Sequence, residues 1–560
     1  MTASEYLVDI LVQNQVTDVF GIPGGVILDL IYAIDRKEGI EAHLSYHEQA
    51  AGFAAEGYAQ ASGKLGVAYA TRGPGFTNMI TCIADAYCDS IPILFITAHS
   101  STLNPGVRLQ SNQEIDTCAM VKNVTKYAKR VDSLEEFADS VNKACSIALE
   151  GRKGPVFLDI ASSLWKKEVM AASPEMKEKV VSEDYTKAIE VITFELNNAK
   201  RPVILIGDGI NQTRTAKQLK QFVEKIKIPV LSSRYAHHTI ADSPYYYGYI
   251  GGFGVRYANF ILSKTDLIIS IGNRLNFPLN SQSYKGIPYQ AKIVRFDIDD
   301  SELEKDIPNS IKFEVDLMSL LPFLARAEYI VPEFDKWLNV CDIIKKDLWD
   351  EDVNEAVKTV DSLLKNAPQT TTVLNDVGNN EFWISRACAH TAFNNQVLYS
   401  KSFASLGCSM TKAIGAYYAT RQPVLCFIGD QGFQMNSQEL QYISQHNLPI
   451  TIVVMNNFVS GMIRDKEVAA YQGHVIHSTY DSGYGMPNLQ KLAETYGVSY
   501  QVVHSGEKIS KETIDYSKPL LVNLLIDDSL KLSPKLPLGR APQDMVPELE
   551  AIRYQNLNEL

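Results

Sequence analysis

The chain has 560 residues, of which 46% are hydrophobic and 21% charged, and these values exclude a mainly disordered or fibrous protein. Asp and Glu outnumber Lys and Arg by 65 to 53, and the net charge of −12 argues against nucleic acid or an anionic membrane as the main partner. The eight cysteines form no CxxC pair, which favours reduced thiols. Because Glu5 and Asp9 stand where a secretory leader would be basic and then apolar, and apolar runs such as 450–455 are too short for a membrane span, we expect a cytoplasmic protein.

The first third of the chain alternates helical patterns with short apolar runs. Residues 2–5 read as a capping box ahead of an apolar helical face. Buried strands are predicted at 18–21, 66–71, 93–97 and 156–160. This rhythm is typical of a parallel sheet with helices on both faces.

The same rhythm restarts twice, so the sequence predicts an α/β fold of three doubly wound parallel-sheet domains. Charged residues 166–184 are interpreted as a linker, and a polar, acidic stretch at 333–355 precedes the third series. Further strands are predicted at 201–207, 228–231, 267–271, 292–297, 371–376, 424–428, 450–455 and 520–526. The expected domains are 1–170, 186–330 and 355–530, followed by an extended surface arm at 531–560.

Polar residues follow two strands of the last domain. One run leads straight into Gly429-Asp430-Gln431-Gly432, and the other leads to Asn456-Asn457. Backbone N–H groups and a carboxylate at the carboxyl ends of parallel strands are where anionic ligands bind in such sheets. The Asp430 carboxylate, the Asn457 side-chain oxygen and a nearby main-chain carbonyl form an oxygen set suited to Mg²⁺. Either segment alone is more often an ordinary turn, but the pair favours a metal-diphosphate site.

This pair of segments resembles the signature of thiamine diphosphate (ThDP) enzymes, a Gly-Asp-Gly followed downstream by Asn-Asn. The resemblance covers nearly the whole chain and is strongest to the branch that contains acetolactate synthase. Gln431 replaces the third glycine and would be strained if that position needed a glycine-like backbone angle. The resemblance implies that the diphosphate and Mg²⁺ contact Gly378, Asn379, Asn380, Gly429, Asp430, Gln431, Gly432, Asn457, Val459, Ser460, Gly461 and Met462, with Asp430, Asn457 and the Val459 backbone carbonyl as metal ligands.

A stretch rich in Ala and Gly begins at Glu48 and reaches Gly63, which is placed to end a helix as its C-cap. Small residues there let another backbone or a flat ring approach closely. The resemblance implies that Glu48 faces N1′ of the cofactor's aminopyrimidine, where a carboxyl of raised pKa shares a proton with that nitrogen. Glu48 is therefore the expected cofactor activator. The ordinary alternative is a solvated surface glutamate.

Other segments match the family around the cofactor's reactive end. The implied cofactor contacts here are Gly24, Gly25, Pro74, Asn78, Ala404 and Leu406. Leu406 lies where the family places the apolar side chain that bends the cofactor, and the Ala404 carbonyl, at a place where the family usually has Gly, would hold the 4′-amino group. Gln113 is implied to hydrogen-bond the substrate, although it also reads as a solvated loop residue. Glu48, Gln113 and Leu406 are thus the catalytic candidates.

The middle domain carries a weaker signal. Gly207-Asp208-Gly209 is a lone Gly-x-Gly, too little for a nicotinamide or flavin oxidoreductase. Residues 271–275 and 296–299 resemble positions where acetolactate synthase relatives hold FAD, but many decarboxylases of the superfamily keep this fold without a nucleotide. FAD binding therefore stays open. The pair His237-His238 is interpreted as structural or surface-exposed.

The resemblance implies a ThDP- and Mg²⁺-dependent carboligase that decarboxylates a 2-oxo acid, expected to be pyruvate, and transfers the acyl-anion equivalent to a carbonyl acceptor. Lys466 and Asn112 replace a Trp and a Phe of acetolactate synthases, which makes the acceptor pocket more polar. The expected acceptor is a 2-oxo acid, and a keto sugar is a further candidate because residues 535–540 resemble the tail of relatives that extend nucleotide-linked keto sugars. The alternatives are a non-ligating 2-oxo acid decarboxylase and an inactive binding subunit. Since Glu48 and Asp430 lie in different domains, the resemblance implies active sites between the subunits of a homodimer or homotetramer.

Overall fold

The computed structural model describes residues 1–100, 108, 112–169, 185–275 and 290–560, so most of the predicted linker at 166–184 lies outside the described residues. Within these ranges the strands form three six-stranded sheets, and every strand pair is parallel. The predicted α/β architecture is confirmed. No helix in these ranges is both long enough and apolar enough to cross a lipid bilayer.

The first sheet is formed by residues 18–161. Its strands are β1 (Asp18–Gly21), β2 (Glu41–Leu44), β3 (Gly66–Tyr69), β4 (Ile93–His99), β5 (Tyr127–Val131) and β6 (Val156–Ala161). The surrounding helices are α1 (Ala3–Gln13), α2 (Leu28–Asp35), α3 (Glu48–Ser62), α4 (Pro74–Asn78), α5 (Ile80–Asp89), α6 (Thr117–Val121) and α7 (Leu134–Leu149). The predicted capping box opens α1, because Thr2 and Glu5 each accept the other's backbone N–H. The strand order is β2-β1-β3-β4-β6-β5.

The second sheet lies in the middle of the chain. Its strands are β7 (Pro202–Ile206), β8 (Val230–Ser232), β9 (Tyr246–Tyr249), β10 (Leu267–Ile271), β11 (Lys292–Asp297) and β12 (Ser310–Glu314), in the order β12-β11-β10-β7-β8-β9. Its helices are α8 (Thr186–Asn198), α9 (Gly209–Thr213), α10 (Ala216–Ile226), α11 (Arg256–Ser263), α12 (Asp300–Leu303), α13 (Leu317–Arg326) and α14 (Asp335–Asp347). Helix α14 occupies the polar stretch predicted at 333–355, and it buries Trp337, Cys341 and Ile344 against this sheet's core.

The third sheet repeats the topology of the first. Its strands are β13 (Thr372–Asn375), β14 (Val397–Tyr399), β15 (Val424–Gly429), β16 (Ile450–Asn456), β17 (Ser499–His504) and β18 (Leu520–Leu525). Its helices are α15 (Glu355–Asn366), α16 (Asn379–Thr391), α17 (Ser409–Thr420), α18 (Asp430–Met435), α19 (Leu440–Gln445), α20 (Gly461–Ala470) and α21 (Leu489–Tyr496). The order β14-β13-β15-β16-β18-β17 becomes that of the first sheet when the strands are renumbered from one. The two outer domains therefore share one fold.

The C-terminal arm is anchored across the chain rather than simply extended on the surface. Arg386 donates to the carbonyls of Ser533 and Pro534, and Arg256 Nη2 donates to the Pro547 carbonyl at 2.6 Å. The arm then ends in helix α22 (Ala551–Glu559), whose Leu557 joins the core of the middle domain. The prediction of an extended arm is wrong for this last segment.

Helices α3 and α17 bring the first and third domains into backbone contact. A methyl group added at Gly57 would lie 2.0 Å from the Lys412 carbonyl oxygen, and one added at Gly415 would lie 1.7 Å from the Ala54 carbonyl oxygen. No side chain fits at either glycine, so the two helix axes approach as closely as their main chains permit.

A fully buried charge cluster lies beside this helix contact. Lys412 Nζ is 2.6 Å from Glu56 Oε2 and 3.7 Å from Asp85 Oδ1, and all three side chains are at most 1% exposed. Burial opposes the charge on Lys412, but the two carboxylates outweigh it and raise the pKa of the ammonium. The ion pairs therefore keep Lys412 charged inside the protein.

We expect Lys412→Met to destabilise the protein strongly, because it leaves two acidic groups buried without their cation. The expected loss in the free energy of unfolding is about 3–5 kcal/mol. Urea denaturation of the variant measures it. Lys358→Met is the control, since the Lys358–Glu355 pair is more than half exposed on both sides and its loss should change stability by about 0.5 kcal/mol or less. A Lys412→Met variant as stable as this control would contradict the interpretation.

Candidate thiamine diphosphate site

The predicted site residues lie at equivalent strand ends of the two outer domains. In the first domain, Gly24 and Gly25 follow β1, Glu48 follows β2, Pro74 and Asn78 follow β3, and Gln113 follows β4. In the third domain, Gly378 to Asn380 follow β13, Ala404 and Leu406 follow β14, Gly429 to Gly432 end or follow β15, and Asn457 to Met462 follow β16. Carboxyl ends of parallel strands are where open α/β sheets bind ligands. The duplicated topology thus presents two matching half-sites.

Glu48 is the first residue of helix α3 and is half-buried. Its Oε2 accepts a hydrogen bond from Asn78 Nδ2 at 2.9 Å, and a methyl group on Gly75 would lie 3.2 Å from its Oε1. The helix ends at Gly63, whose φ of 75° is the left-handed C-cap that the sequence predicts. The carboxylate is therefore held against helix α4, which begins at Pro74 and ends at Asn78.

Gln113 lies at the edge of the same half-site. Its side chain is exposed and its φ is 62°, and its carbonyl oxygen would lie 2.5 Å from a methyl group on Gly73. The neighbouring Glu114 is buried and accepts hydrogen bonds from Arg72 Nη1 at 2.7 Å and from the Ser100 backbone at 2.6 Å. Glu114 thus fixes the backbone that presents Gln113, a role the sequence did not reveal.

Asp430 begins helix α18 at the end of β15 and is 4% exposed. Its Oδ1 accepts hydrogen bonds from the Tyr484 hydroxyl at 2.7 Å and from the Gln431 N–H at 2.8 Å. Its Oδ2 is buried and has no hydrogen-bond partner within the described chain. Burial raises the pKa of this carboxyl to about 6, because the desolvation exceeds the effect of the hydrogen bonds. An unpaired, buried carboxylate oxygen of this kind fits a cation.

The turns after β13 and β16 meet beside Gly461. A methyl group on this glycine would lie 2.8 Å from Asn379 Nδ2 and 3.0 Å from Asn457 Nδ2. Asn379 Nδ2 is buried without an acceptor within the described chain, so it is a donor suited to an anion. Ser460 Oγ, in the turn after β16, donates to Oε1 of Gln431, which follows β15, at 3.1 Å. These donors and the free Asp430 oxygen together fit a diphosphate with its Mg²⁺.

Gln431 is not strained in this structure. It lies inside helix α18 and is not among the residues of positive φ, so the position does not require glycine. The next residue, Gly432, packs where a methyl group would lie 3.2 Å from Asp376 Oδ1. The departure from Gly-Asp-Gly therefore leaves the local backbone intact.

The turn that carries Leu406 is held by Asp376, which is fully buried. Its two carboxylate oxygens accept the N–H groups of Gly407 and Ser409, each at 3.0 Å. Leu406 is half-buried on this turn, and Ala404 is exposed with a φ of 58°. Ala404 thus adopts the left-handed conformation that glycine favours, which explains why the family usually has Gly there. Burial raises the pKa of Asp376 despite these hydrogen bonds.

The remaining predicted residues differ in exposure. Gly24 packs against Thr71, with 2.5 Å between an added methyl group and the Thr71 Cβ, whereas Gly25 has open space around it. Val459 is 6% exposed and Met462 40% exposed. The other exposed residues that were named for the cofactor and the acceptor are Pro74, Asn78, Asn112, Gln431 and Lys466. Glu48 and Asp430 share no hydrogen bond or ion pair within the described ranges.

The turn at Gly207 to Gly209 does not fit a dinucleotide diphosphate. A methyl group on Gly207 would lie 2.1 Å from the Gly272 carbonyl oxygen, so this glycine serves close backbone packing. The Asp208 carboxylate forms an ion pair with Lys401, which is a contact within the protein. His237 and His238 are both buried, and His237 Nε2 hydrogen-bonds to the Tyr399 hydroxyl at 2.6 Å. The pair is structural, and the surface interpretation is wrong.

Known protein families match the chain in the order of its three sheets. The models described as the N-terminal TPP binding domain, the central domain and the C-terminal TPP binding domain of thiamine pyrophosphate enzymes match residues 1–120, 189–324 and 376–524. The acetolactate synthase large subunit of Lactococcus lactis is 31% identical, over 97% of this chain and 96% of that protein. The isozyme 2 large subunit of acetolactate synthase from Escherichia coli is 30% identical, over 98% of this chain and all of that protein.

Proposed function

Since the chain belongs to the thiamine pyrophosphate enzymes, within the group of acetolactate synthase large subunits, and is an enzyme of ThDP-dependent carbon–carbon bond formation, we propose that its donor substrate is pyruvate. ThDP, when bound, supplies the carbon nucleophile and accepts the electrons released as CO₂ leaves. The remaining acyl unit passes to a carbonyl acceptor. The observation that most directly supports cofactor binding is the unpaired Asp430 Oδ2 in a turn adjoining the unpaired Asn379 Nδ2, and the names of the relatives support pyruvate as the donor.

The residues of the third domain bind the charged end of the cofactor in this proposal. Asp430, Asn457 and the Val459 carbonyl hold Mg²⁺, while Asn379 donates to the diphosphate. Leu406 would provide an apolar contact to the cofactor, and the Ala404 carbonyl would accept a hydrogen bond from its amino group. Because Asp376 fixes the turn through two backbone amides, the apolar side chain and the carbonyl stay at a constant spacing.

The residues of the first domain act on the reactive end of the cofactor. When the cofactor is bound, the Glu48 carboxyl group would serve as the partner for proton exchange with the aminopyrimidine ring, and Asn78 orients this group through its hydrogen bond. Gln113 is exposed at the open edge of this half-site, where it is free to contact the substrate. Glu48 and Asp430 belong to separate half-sites, so we infer that each complete site combines the first domain of one subunit with the third domain of another.

The acceptor is proposed to be more polar than a second pyruvate. Lys466 on α20 and Asn112 beside Gln113 are both exposed, and they carry a charged and an amide group where the resemblance implies a Trp and a Phe. Polar groups that line a binding site favour substrates with which they can form hydrogen bonds. A hydroxylated carbonyl compound, such as a keto sugar, therefore suits this edge better than an apolar keto acid.

A product assay tests the proposed function. Purified protein is incubated with ThDP, Mg²⁺ and ¹³C-labelled pyruvate, alone and with added 2-oxo acids, aldehydes or keto sugars, and the products are identified by mass spectrometry. With uniformly labelled pyruvate we expect labelled CO₂ and a ligated product that carries two labelled carbons from the donor, or five when a second pyruvate is the acceptor. Release of acetaldehyde alone, with every acceptor untouched, would instead establish the non-ligating decarboxylase.

A further inference from the structure

Residues 399–402 connect strand β14 to the turn that carries Ala404 and Leu406. Ala404 has a φ of 58°, and a non-glycine residue keeps this conformation only where its surroundings hold it firmly. The backbone leading into the turn is therefore expected to be well anchored. In the structure all three domains contribute contacts to it.

The first domain anchors this segment through two aspartates of helix α5. Asp89 accepts the N–H groups of Lys401 at 2.5 Å and Ser402 at 2.7 Å. Asp85 accepts the Ser400 hydroxyl at 2.7 Å, and the same hydroxyl accepts the N–H of Ser405 at 2.8 Å. Both carboxylates are buried, so these charge-assisted hydrogen bonds are strong.

The middle domain anchors the segment from the other side. Lys401 Nζ forms an ion pair with Asp208 Oδ2, and the Tyr235 hydroxyl donates to the Lys401 carbonyl at 2.7 Å. The Lys401 side chain is 10% exposed and that of Asp208 is 22% exposed, so water screens the pair only partly. Asn211 Nδ2 and Gln212 Nε2 also donate to Asp208, at 3.2 and 3.0 Å, and fix its orientation.

Asp208 lies at the carboxyl end of β7, the edge where related open sheets bind nucleotides. In this protein the edge forms contacts within the chain. Gly207 packs against Gly272, and the Asp208 carboxylate binds Lys401. Burial favours the neutral acid, but Lys401 and the two amide donors outweigh it and lower the pKa of Asp208. Asp208 is thus an ionised partner for Lys401.

We propose that Lys401 is a positioning residue, through which Asp208 of the middle domain holds the Ala404–Leu406 turn in its cofactor-binding shape. This inference rests on the proposed function, because it assigns the turn to the cofactor. In this inference the middle domain contributes to cofactor binding through Asp208, and this contribution does not require a bound nucleotide. Lys401 itself touches neither cofactor nor substrate.

Lys401→Met tests the inference, because it removes the charge but keeps an apolar stem of similar length. In the cofactor-free protein we expect backbone hydrogen–deuterium exchange of residues 403–407 to become about tenfold faster. Calorimetry with Mg²⁺ present should show ThDP affinity reduced about tenfold, with a smaller loss in kcat at saturating ThDP. Asp208→Asn should reproduce both effects, and Lys401→Arg, which keeps the charge, should restore most of the affinity.

Arg152→Met is the matched control. Arg152 Nη1 pairs with Asp299 Oδ2 at 2.5 Å, so it also joins the first and middle domains, and the hydrogen bonds and ion pairs it forms do not include residues 399–406. This variant should leave exchange at 403–407 and ThDP affinity unchanged. If Arg152→Met changed exchange at 403–407 and ThDP affinity as much as Lys401→Met, Lys401 would have no specific role at the turn and the inference would be overturned.

The exchange measurement separates this inference from the proposed function. A wild-type protein that binds ThDP, with unchanged exchange and affinity in Lys401→Met, would overturn the positioning role and leave the proposed function standing. A wild-type protein that takes up no ThDP in the presence of Mg²⁺ would overturn both. Faster exchange in Lys401→Met together with weaker ThDP binding supports both.

Discussion

Replacing Glu48 with Gln is expected to lower turnover of pyruvate by about two to four orders of magnitude, the range associated with loss of a proton-transferring side chain. Gln keeps the size of the side chain and an oxygen that can accept from Asn78, but it cannot hold the proton that the aminopyrimidine exchanges. Because the lost group acts on reactivity more than on affinity, ThDP binding should change by less than about tenfold. Steady-state kinetics and calorimetry measure the two quantities.

The control for this variant is Glu38→Gln, a change at an exposed glutamate ahead of β2. It removes the same charge from the same domain without touching the half-site, so its kinetics should match those of the wild type. Thermal unfolding of both variants should stay near the wild-type midpoint, since neither carboxylate belongs to the buried cluster at Lys412. Wild-type turnover in Glu48→Gln would refute the activating role.

Replacing Asp430 with Asn should abolish tight cofactor binding. Loss of a group that only supports a metal ligand typically lowers metal affinity about 10–100-fold. Loss of a direct charged ligand is therefore expected to lower cofactor affinity by about 100-fold or more. The cofactor-free variant should be at least as stable as the wild type, because an unpaired carboxylate oxygen no longer has to be buried. Calorimetric titration with ThDP and Mg²⁺, and thermal unfolding of the cofactor-free protein, measure these effects.

Two further variants serve as comparisons for Asp430→Asn. Asp527→Asn changes an exposed aspartate that follows β18 in the same sheet and should leave ThDP affinity unchanged. Tyr484→Phe removes the hydroxyl that donates to Asp430 and should weaken binding by about tenfold or less, since the metal ligand remains. Wild-type affinity in Asp430→Asn would rule out this carboxylate as a metal ligand.

The sequence predicts the inner strands of all three sheets but none of the outer ones. Strands flanked on both sides, such as β4 and β16, are buried along their whole length and appear as continuous apolar runs. The six strands without a prediction, β2, β5, β9, β12, β14 and β17, are the six sheet edges. Most are partly exposed, as in β17, whose mixed composition carries no strong strand signal. Their positions follow from tertiary pairing.

The half-sites show the same division between local and long-range information. Asp430 is recognisable because it begins a helix directly after a predicted strand, and Glu48 because it begins the stretch rich in Ala and Gly that resembles the family. Tyr484 carries no such pattern, since the loop that brings its hydroxyl to Asp430 lies 54 residues downstream. The role of Asp376 also depends on folding, because the amides it binds, those of Gly407 and Ser409, belong to the next turn along the sheet.

Helices α3 and α17 meet too closely for the outer domains to be treated as interchangeable modules. If either outer domain were expressed alone, Lys412, or Glu56 and Asp85, would become exposed to water without the opposite charge. The helix surface around Gly57 or Gly415 would also be exposed. Chimaeras that combine domains from related enzymes should therefore take helices α3 and α17 from the same parent. For protein engineers, the smallest transplantable unit is this helix pair with its charges matched.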